Sequence, residues 1–191
     1  MYNLSFKSTI RPTSVQEYNK STPKDKKYCV DYPWTAKETV LAEKAYTKNI
    51  LDCVVCGITD GARVLLLHIC PTHENNQDFS KIAKYIKEKI DLTNPDLQAI
   101  LVGGQSPEKA DKRSFALWEN FAKLLHDFKI PFTELKGGSG EKHVAYSSLN
   151  DEWVIASDSY DNNVQSVNEA LKKMFDKVVL SKEDELCRQL H

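Results

Sequence analysis

Long apolar stretches are missing from this 191-residue chain. Its uninterrupted apolar runs are short, as at residues 64–67 and 99–102, whereas a helix needs about 20 apolar residues to cross a bilayer. The opening segment also lacks an apolar core of signal-peptide length. The sequence therefore predicts no membrane association and no export by a Sec-type route. We expect a cytoplasmic protein, or one that is delivered into a host cell by a route without a Sec signal peptide.

Charge of either sign is not in large excess. The chain has 26 Lys and Arg against 27 Asp and Glu, and this formal net charge of −1 argues against dedicated nucleic-acid binding. The first thirty residues differ, because they carry six basic residues against two acidic ones between Pro, Ser and Thr. We interpret residues 1–33 as a flexible polar and basic arm; a docking segment for an acidic partner is the alternative.

Cysteines are few and show no paired pattern. Their number is odd, and with no signal peptide this predicts free thiols in a reducing compartment. The spacing of Cys53 and Cys56 invites a redox or zinc interpretation, but residues three apart on a strand point to opposite faces. No second CxxC or nearby His pair completes a zinc site, so we expect no metal. The five cysteines are Cys29, Cys53, Cys56, Cys70 and Cys187.

Residues 137–140, Gly-Gly-Ser-Gly, do not make a phosphate loop. The Gly-Lys-Ser/Thr ending of a P-loop is missing, and no helix is predicted to follow that could present its N-terminus to an anion. A tight crossover between two strands explains the glycines better.

The hydrophobic pattern predicts alternating helices and strands. A capping box formed by Thr35 and Glu38 starts the first helix, and Asp60-Gly61 separates two β-rich runs as in a hairpin. Strands that begin as a pair and end in a meander favour an α+β fold, with helices against a mostly antiparallel sheet or sandwich. The predicted elements are helix 35–46, strands 50–58 and 63–70, helix 78–90, strand 97–102, helix 112–128, strands 131–135, 143–147 and 152–156, and helix 163–179.

Three residues of this framework suggest acyl-transfer chemistry. Cys53 and His68 lie fifteen positions apart on the two runs of the predicted hairpin, and Thr47 precedes the cysteine by six residues. A thiol becomes a nucleophile as thiolate, and a neighbouring imidazole is the usual base that produces one. Thr47 would fix the orientation of the imidazole, in the way that a third group orients the base of a catalytic triad.

This arrangement resembles a known family. Thr47, six residues, Cys53, a strand pair, His68 and then Cys70-Pro71 resemble the active-site framework of the CheD-type chemoreceptor glutamine deamidases. Residues 97–104 look like that family's strand followed by Gly-Gly, and residues 135–146 resemble its Gly-Gly-x-x-Gly-Arg segment and following strand. The Cys-to-His interval also resembles the catalytic domain of the cytotoxic necrotizing factor toxins.

The resemblance covers roughly residues 45–158 and implies a CheD- and cytotoxic necrotizing factor-like deamidase fold. We expect a deamidase-like catalytic domain at residues 34–160, followed by a C-terminal helical extension at 161–191. The implied activity is hydrolysis of glutamine side chains in a target protein, with Cys53 as nucleophile, His68 as base and Thr47 as orienting group. No metal or organic cofactor is needed, and the partner is a protein substrate that presents an exposed glutamine to a monomeric enzyme.

Departures from the family pattern lie beside the thiol. Leu51 and Asp52 stand where the family usually has Gly and Ser, and a carboxylate next to Cys53 would disfavour the thiolate. Lys142 stands where the chemotaxis enzymes commonly have Arg. The additional N-terminal arm and C-terminal helix fit a substrate-targeting bacterial effector or toxin as well as a chemotaxis enzyme.

Other interpretations of the same residues remain open. A non-catalytic protein-interaction module on the same scaffold would explain the altered residues before Cys53. A cysteine peptidase would use the Cys–His pair, although no convincing Asn or Asp partner follows His68. An amine in place of water would give transglutamination. Among the other histidines, His73 is interpreted as a loop residue rather than a second base, His126 as a surface or boundary residue, and His143 could line the cleft.

Overall fold

A computed structural model of the protein describes residues 7–22, 25–30, 40–71, 79–103, 112–136 and 141–157. None of the helices in these ranges is long and apolar enough to cross a membrane. The elements are the strands β1 (Thr9–Thr13), β2 (Val40–Ala42), β3 (Lys44–Ile50), β4 (Val54–Thr59), β5 (Val64–Ile69), β6 (Gln98–Gly103), β7 (Phe132–Lys136), β8 (Lys142–Ser147) and β9 (Glu152–Ser157), the helices α1 (Val15–Ser21), α2 (Phe79–Lys89) and α3 (Lys112–Asp127), and a 3-10 turn at Lys26–Tyr28.

The strands form two mixed sheets. The first sheet has the order β1-β9-β8-β3 and the second the order β2-β5-β4-β6-β7. Strands β1 and β9 pair in parallel, as do β6 and β7, and the other five pairings are antiparallel. Two mixed sheets with three helices agree with the predicted α+β class and with the mostly antiparallel pairing.

The two sheets pack face to face, and the space between them holds one of three apolar clusters. Trp153 of β9 crosses this space and covers Gly57 of β4, where a Cβ atom would overlap the indole ring. The outer face of the second sheet packs against α2 and α3, with Phe121 fully buried. The outer face of the first sheet packs against α1 through Tyr18. The sequence of layers is therefore α1, first sheet, second sheet, then α2 and α3.

The prediction of a helix at residues 35–46 is wrong over its described part. Residues 40–42 form β2 and residues 44–46 begin β3, whereas residues 35–39 lie outside the described part of the chain. Val40 pairs with Leu66 and Ala45 with Tyr146. The helical pattern of this segment is weak, since only a few apolar residues have helical spacing. Pairing with neighbouring strands outweighs it, because helix propensity is a weak preference that tertiary contacts override.

The predicted strand at residues 50–58 is two strands. β3 ends at Ile50, β4 begins at Val54, and residues 51–53 connect the two sheets. The hairpin of β4 and β5, the helices α2 and α3 and the strands from β6 to β9 lie close to their predicted positions.

The N-terminal segment is not a peripheral arm where it is described. β1 is an edge strand of the first sheet, with Thr9 paired to Glu152 and Thr13 to Ala156. Tyr18 of α1 is fully buried. The strand and the buried ring make this segment part of the domain. The predicted C-terminal helix at 163–179 and the glycine crossover at 137–140 lie outside the described residues.

Candidate active site

His68 is placed by the tight hairpin of β4 and β5. The Asp60 carboxylate accepts hydrogen bonds from two backbone N–H groups of the turn, and Gly61 adopts the positive φ of 85° that favours glycine. The resulting register puts Val55 opposite His68. Side chains alternate along a strand, so His68 points to the same side as Leu66, into the space between the sheets.

Thr47 meets His68 across that space. Thr47 is fully buried on β3 of the first sheet, and its Oγ1 lies 2.7 Å from His68 Nδ1 on β5 of the second sheet. The same hydroxyl donates a hydrogen bond of 2.6 Å to the backbone carbonyl of Val30. The contact between threonine and histidine that the sequence predicts is therefore present in the structure.

The donor count around Thr47 determines the tautomer of His68. A threonine hydroxyl has one hydrogen, and the Val30 carbonyl can only accept. Since that hydrogen is donated to Val30, the 2.7 Å contact requires His68 Nδ1–H to donate to Thr47 Oγ1. In the neutral ring the basic lone pair is then on Nε2. Thr47 thus holds the imidazole in the state that a general base needs.

A β-bulge positions Thr47. The pairing of β3 with β8 shifts between Thr47 and Ile50, and Asn49 in the bulge has a φ of 59°. The hydroxyl oxygen of Tyr18 lies 2.8 Å from the Thr47 carbonyl oxygen and 2.9 Å from that of Val144, its cross-strand partner. Bulges next to active sites commonly re-aim a side chain. The Tyr18 hydroxyl thus contacts both strands where their regular pairing ends.

Cys53 lies one residue before β4 and on the same side of the sheet as His68. β4 and β5 pair Val54 with Ile69, so the register extended by one residue puts Cys53 opposite Cys70. Cys70 directly follows β5 and is two residues after His68, which makes His68 the diagonal neighbour of Cys53. Diagonal neighbours on one face are about 7–8 Å apart between Cα atoms, within reach of longer side chains. The hairpin therefore brings thiol and imidazole to one face.

The surroundings of Cys53 oppose its ionisation. Burial raises the pKa of the thiol to about 12, and the Cys70 thiol and the Asp52 carboxylate add to the rise. Asp52 therefore disfavours the Cys53 thiolate, as the sequence predicts, although burial is the larger cause of the raised pKa. Cys53 is 9% exposed. At neutral pH the resting residue is a thiol.

Two further groups border the connection that carries Cys53. Ser114, in the first turn of α3, donates a hydrogen bond of 2.6 Å to the carbonyl of Asp52. Gly103 has a φ of 105°, and a Cβ atom there would overlap the Cys53 carbonyl oxygen. Helix α3 therefore begins against residues 51–53, and the positive end of a helix dipole favours anions within its first turn.

Lys142 is a buried cation on the neighbouring strand. It is 2% exposed and pairs with Ile50 in the β3–β8 register. Burial lowers the pKa of its ammonium group. Burying a lysine is costly, which makes this position a candidate for a role beyond packing.

The other histidines and Cys56 differ in burial and in the face of the sheet on which they lie. His126 is exposed beside Asp127, as expected. His143 is buried, its ring lies 5.4 Å from that of Tyr18, and its Nδ1 accepts a hydrogen bond of 3.4 Å from the Asn49 backbone. Cys56 packs on the helix side of the second sheet, opposite to Cys53, as the three-residue spacing predicts. His73 lies outside the described residues.

Sequence reasoning missed Tyr18, Val30 and Cys70 as members of this site. Tyr18 and Val30 lie in the segment that the sequence predicts to be a separate arm, and Val30 acts through a backbone carbonyl that no sequence pattern reports. Cys70 could have been found by extending the hairpin register from its Asp60-Gly61 turn. The four cysteines in the described ranges are thiols rather than disulfides.

Comparison with known proteins identifies no family: no protein-family model matches the chain, and no curated protein matches its sequence.

Proposed function

We propose that this protein is a protein-glutamine deamidase, a thiol amidohydrolase that acts on the side-chain carboxamide of a glutamine in another protein. The observation that carries the proposal is the hydrogen bond between Thr47 and His68, because the Val30 carbonyl fixes its direction and so puts the base on Nε2. The three side chains face the space between the two sheets. Cys53 is the nucleophile, His68 is the base, and the buried Thr47 is the orienting group.

The reaction follows acyl-transfer chemistry. His68 Nε2 takes the proton of the Cys53 thiol as the sulfur attacks the carboxamide carbon. The imidazolium returns that proton to the amide nitrogen, the C–N bond breaks, and ammonia leaves a thioester. His68 then deprotonates a water, which attacks the thioester carbon; the C–S bond breaks, and the proton returns from His68 to the Cys53 sulfur. The product is a glutamate side chain.

The protein stabilises the charges that form on both reactants. The imidazolium of His68 keeps its Nδ1–H donated to Thr47, whose hydroxyl is aligned by the Val30 carbonyl. The first turn of α3, joined to residue 52 through Ser114, favours negative charge near Cys53. Backbone N–H groups around residue 53 are the donors for the oxyanion. The raised pKa of the thiol means that deprotonation accompanies attack rather than preceding it.

All the groups in this reaction are amino-acid side chains or backbone, so no metal or organic cofactor is required. The substrate is a folded protein with an exposed glutamine, and the enzyme acts as a monomer. Similarity of the motif to the CheD and cytotoxic necrotizing factor groups supports a deamidase fold and a bacterial effector or toxin, with the chemotaxis-type deamidase as the alternative branch. The protein acts in the cytoplasm or inside a host cell.

A second candidate function is a non-catalytic protein-interaction module on the same scaffold. The burial of Cys53 and the nearby Asp52 carboxylate favour it, because both raise the pKa of the thiol.

An assay for released ammonia distinguishes the deamidase from the non-catalytic interaction module. The full chain is incubated with candidate protein substrates, free ammonia is assayed, and the substrate glutamines are examined by mass spectrometry for conversion to glutamate. The Cys53→Ser variant is the inactive control, and Cys56→Ser is the matched cysteine control.

The products identify the activity. Release of ammonia from a protein but not from free glutamine supports protein deamidation. Conjugation of an added primary amine indicates transglutamination, and cleaved substrate indicates a peptidase. If no substrate tested releases ammonia but one of them binds the chain, the interaction module is favoured.

A further inference from the structure

Cys70 is a buried thiol that the proposed reaction does not use. One residue beyond the pair Val54–Ile69, it lies opposite Cys53, and both side chains belong to the cluster between the sheets. Cys53 is 9% and Cys70 6% exposed, and the Cys70 thiol contributes to the raised pKa of Cys53. The second sulfur therefore lies in the immediate surroundings of the candidate nucleophile.

The register of the hairpin, extended by one residue, predicts a spacing for this pair that suits a disulfide. Residues directly opposite each other on antiparallel strands have Cα atoms about 4.5–5.5 Å apart. Disulfides need Cα separations of about 4.4–6.8 Å, so little movement of the backbone is required. The other cysteines of the described ranges are placed differently. Cys56 faces α2 and α3, and Cys29 packs on the outer side of the first sheet.

We propose that Cys53 and Cys70 are an oxidative modification site, at which a peroxide converts the two thiols into a reversible disulfide. The bond itself depends only on the geometry of the hairpin. Its consequence, loss of the nucleophile, rests on the function proposed above.

The chemistry balances with hydrogen peroxide as the oxidant. The Cys53 sulfur, with its proton taken by His68, attacks the peroxide, becomes a sulfenic acid and reduces one oxygen to water. The Cys70 thiol then attacks the sulfenic sulfur, the S–S bond forms, and hydroxide leaves with the thiol proton as a second water. A dithiol reverses the modification by exchange, regenerating both thiols and becoming a disulfide itself.

Oxidation depends on pH. Because thiolates are the reactive form and burial raises the pKa of Cys53, the disulfide should form slowly at neutral pH and faster as pH rises. Because His68 is the base for Cys53 in the proposed reaction, we expect Cys53 to be oxidised before Cys70.

The test treats the full chain with hydrogen peroxide, blocks remaining thiols with iodoacetamide and maps the peptides without reduction. We expect a cross-linked peptide pair containing Cys53 and Cys70, lighter by two hydrogen atoms, and its loss after dithiothreitol. Cys56→Ser should form the same bond. Cys70→Ser and Cys70→Ala should instead accumulate sulfinic or sulfonic acid at Cys53, which dithiothreitol does not reverse.

A cross-link from Cys53 to Cys56 or Cys187 would overturn the proposal, as would oxidised Cys53 beside alkylated Cys70. An unmodified pair after exposure at alkaline pH would also overturn it. Activity is a separate measurement. A deamidase should lose ammonia release when the bond forms and regain it with dithiothreitol. A protein that forms the bond but never releases ammonia would refute the proposed function and leave the disulfide established.

Discussion

The hydroxyl of Tyr18 lies 2.8 Å from the backbone carbonyl oxygen of Thr47. A helix on the outer face of the first sheet therefore contacts the residue that orients the candidate base. The N-terminal segment, which the sequence predicts to be a separate arm, is thereby connected to the candidate site. Deleting this segment would remove an edge strand, a buried tyrosine and the Val30 carbonyl together. It would disturb the fold rather than only weaken substrate binding.

Tyr18→Phe should lower stability and turnover together. The variant leaves the ring in place but removes the hydroxyl from the Thr47 and Val144 carbonyls, and unsatisfied buried groups cost about 1–3 kcal/mol. Urea unfolding measures the first effect. A fall in kcat with little change in KM measures the second. Tyr28→Phe is the matched control, because its hydroxyl contacts Glu43 at the surface. Unchanged kcat in a destabilised Tyr18→Phe would limit Tyr18 to a structural role.

Thr47→Val should reduce activity, and Thr47→Ser should restore most of it. Valine keeps the shape of threonine but leaves Val30 and the Nδ1–H of His68 without the bridging hydroxyl. The loss should be smaller than the roughly 10²–10⁴-fold that a positioned acid–base group contributes, because the base itself remains. The pH profile of kcat/KM should also change, since the hydroxyl supports the imidazolium. A loss as complete as that of Cys53→Ser would mean that the hydroxyl does more than orient the ring.

Cys53→Ser should abolish ammonia release and leave the fold nearly intact, because the side chains differ by one atom. Cys56→Ser should retain activity, since Cys56 packs between the second sheet and its helices. Iodoacetamide mapping at several pH values provides an independent measurement. If Cys56 is alkylated faster than Cys53 in the folded chain, Cys53 is not the nucleophile.

Asp52→Asn should make the Cys53 thiol more reactive at a given pH. The Asp52 carboxylate raises the pKa of the thiol, so its removal lowers that pKa, and the thiolate fraction rises at every pH below it. The alkylation rate of Cys53 should then rise with pH from a lower midpoint. The shift should be modest, because burial is the larger cause. Asp96→Asn, at an exposed ion pair with Lys7, is the control. No difference between the two variants would remove Asp52 from the account of the thiol.

Gly57→Ala should destabilise the contact between the two sheets. A Cβ atom at this position overlaps the Trp153 ring, and overpacking of a core costs about 1–3 kcal/mol. Trp153→Phe should partly rescue Gly57→Ala in a double-mutant cycle measured by urea unfolding. Gly61→Ala is the control substitution. An added Cβ at Gly61 would meet open space, so any cost there comes from the positive φ rather than from overpacking. Its cost should not depend on residue 153. Independent effects at 57 and 153 would contradict this packing.

The local elements follow largely from sequence. Asp60-Gly61 between β-rich runs is enough to predict the hairpin, and the side-chain period of a strand puts Cys53 and Cys56 on opposite faces. The helical spacing of apolar residues predicts α2 and α3 within a few residues of their ends. These features depend on the backbone geometry and apolar spacing of neighbouring residues, which the sequence displays directly.

Only the tertiary structure decided where these elements meet. Residues 40–46 have a weak helical pattern but mostly form strands, because pairing with β5 and β8 buries Val40, Ala45 and Tyr46. Thr47 and His68 belong to different sheets, so their contact depends on how the sheets pack rather than on the interval between them. The direction of their hydrogen bond depends on the Val30 carbonyl, a backbone group that every residue carries. The sequence determined which side chains could do the chemistry, and the packing of two sheets determined their partners.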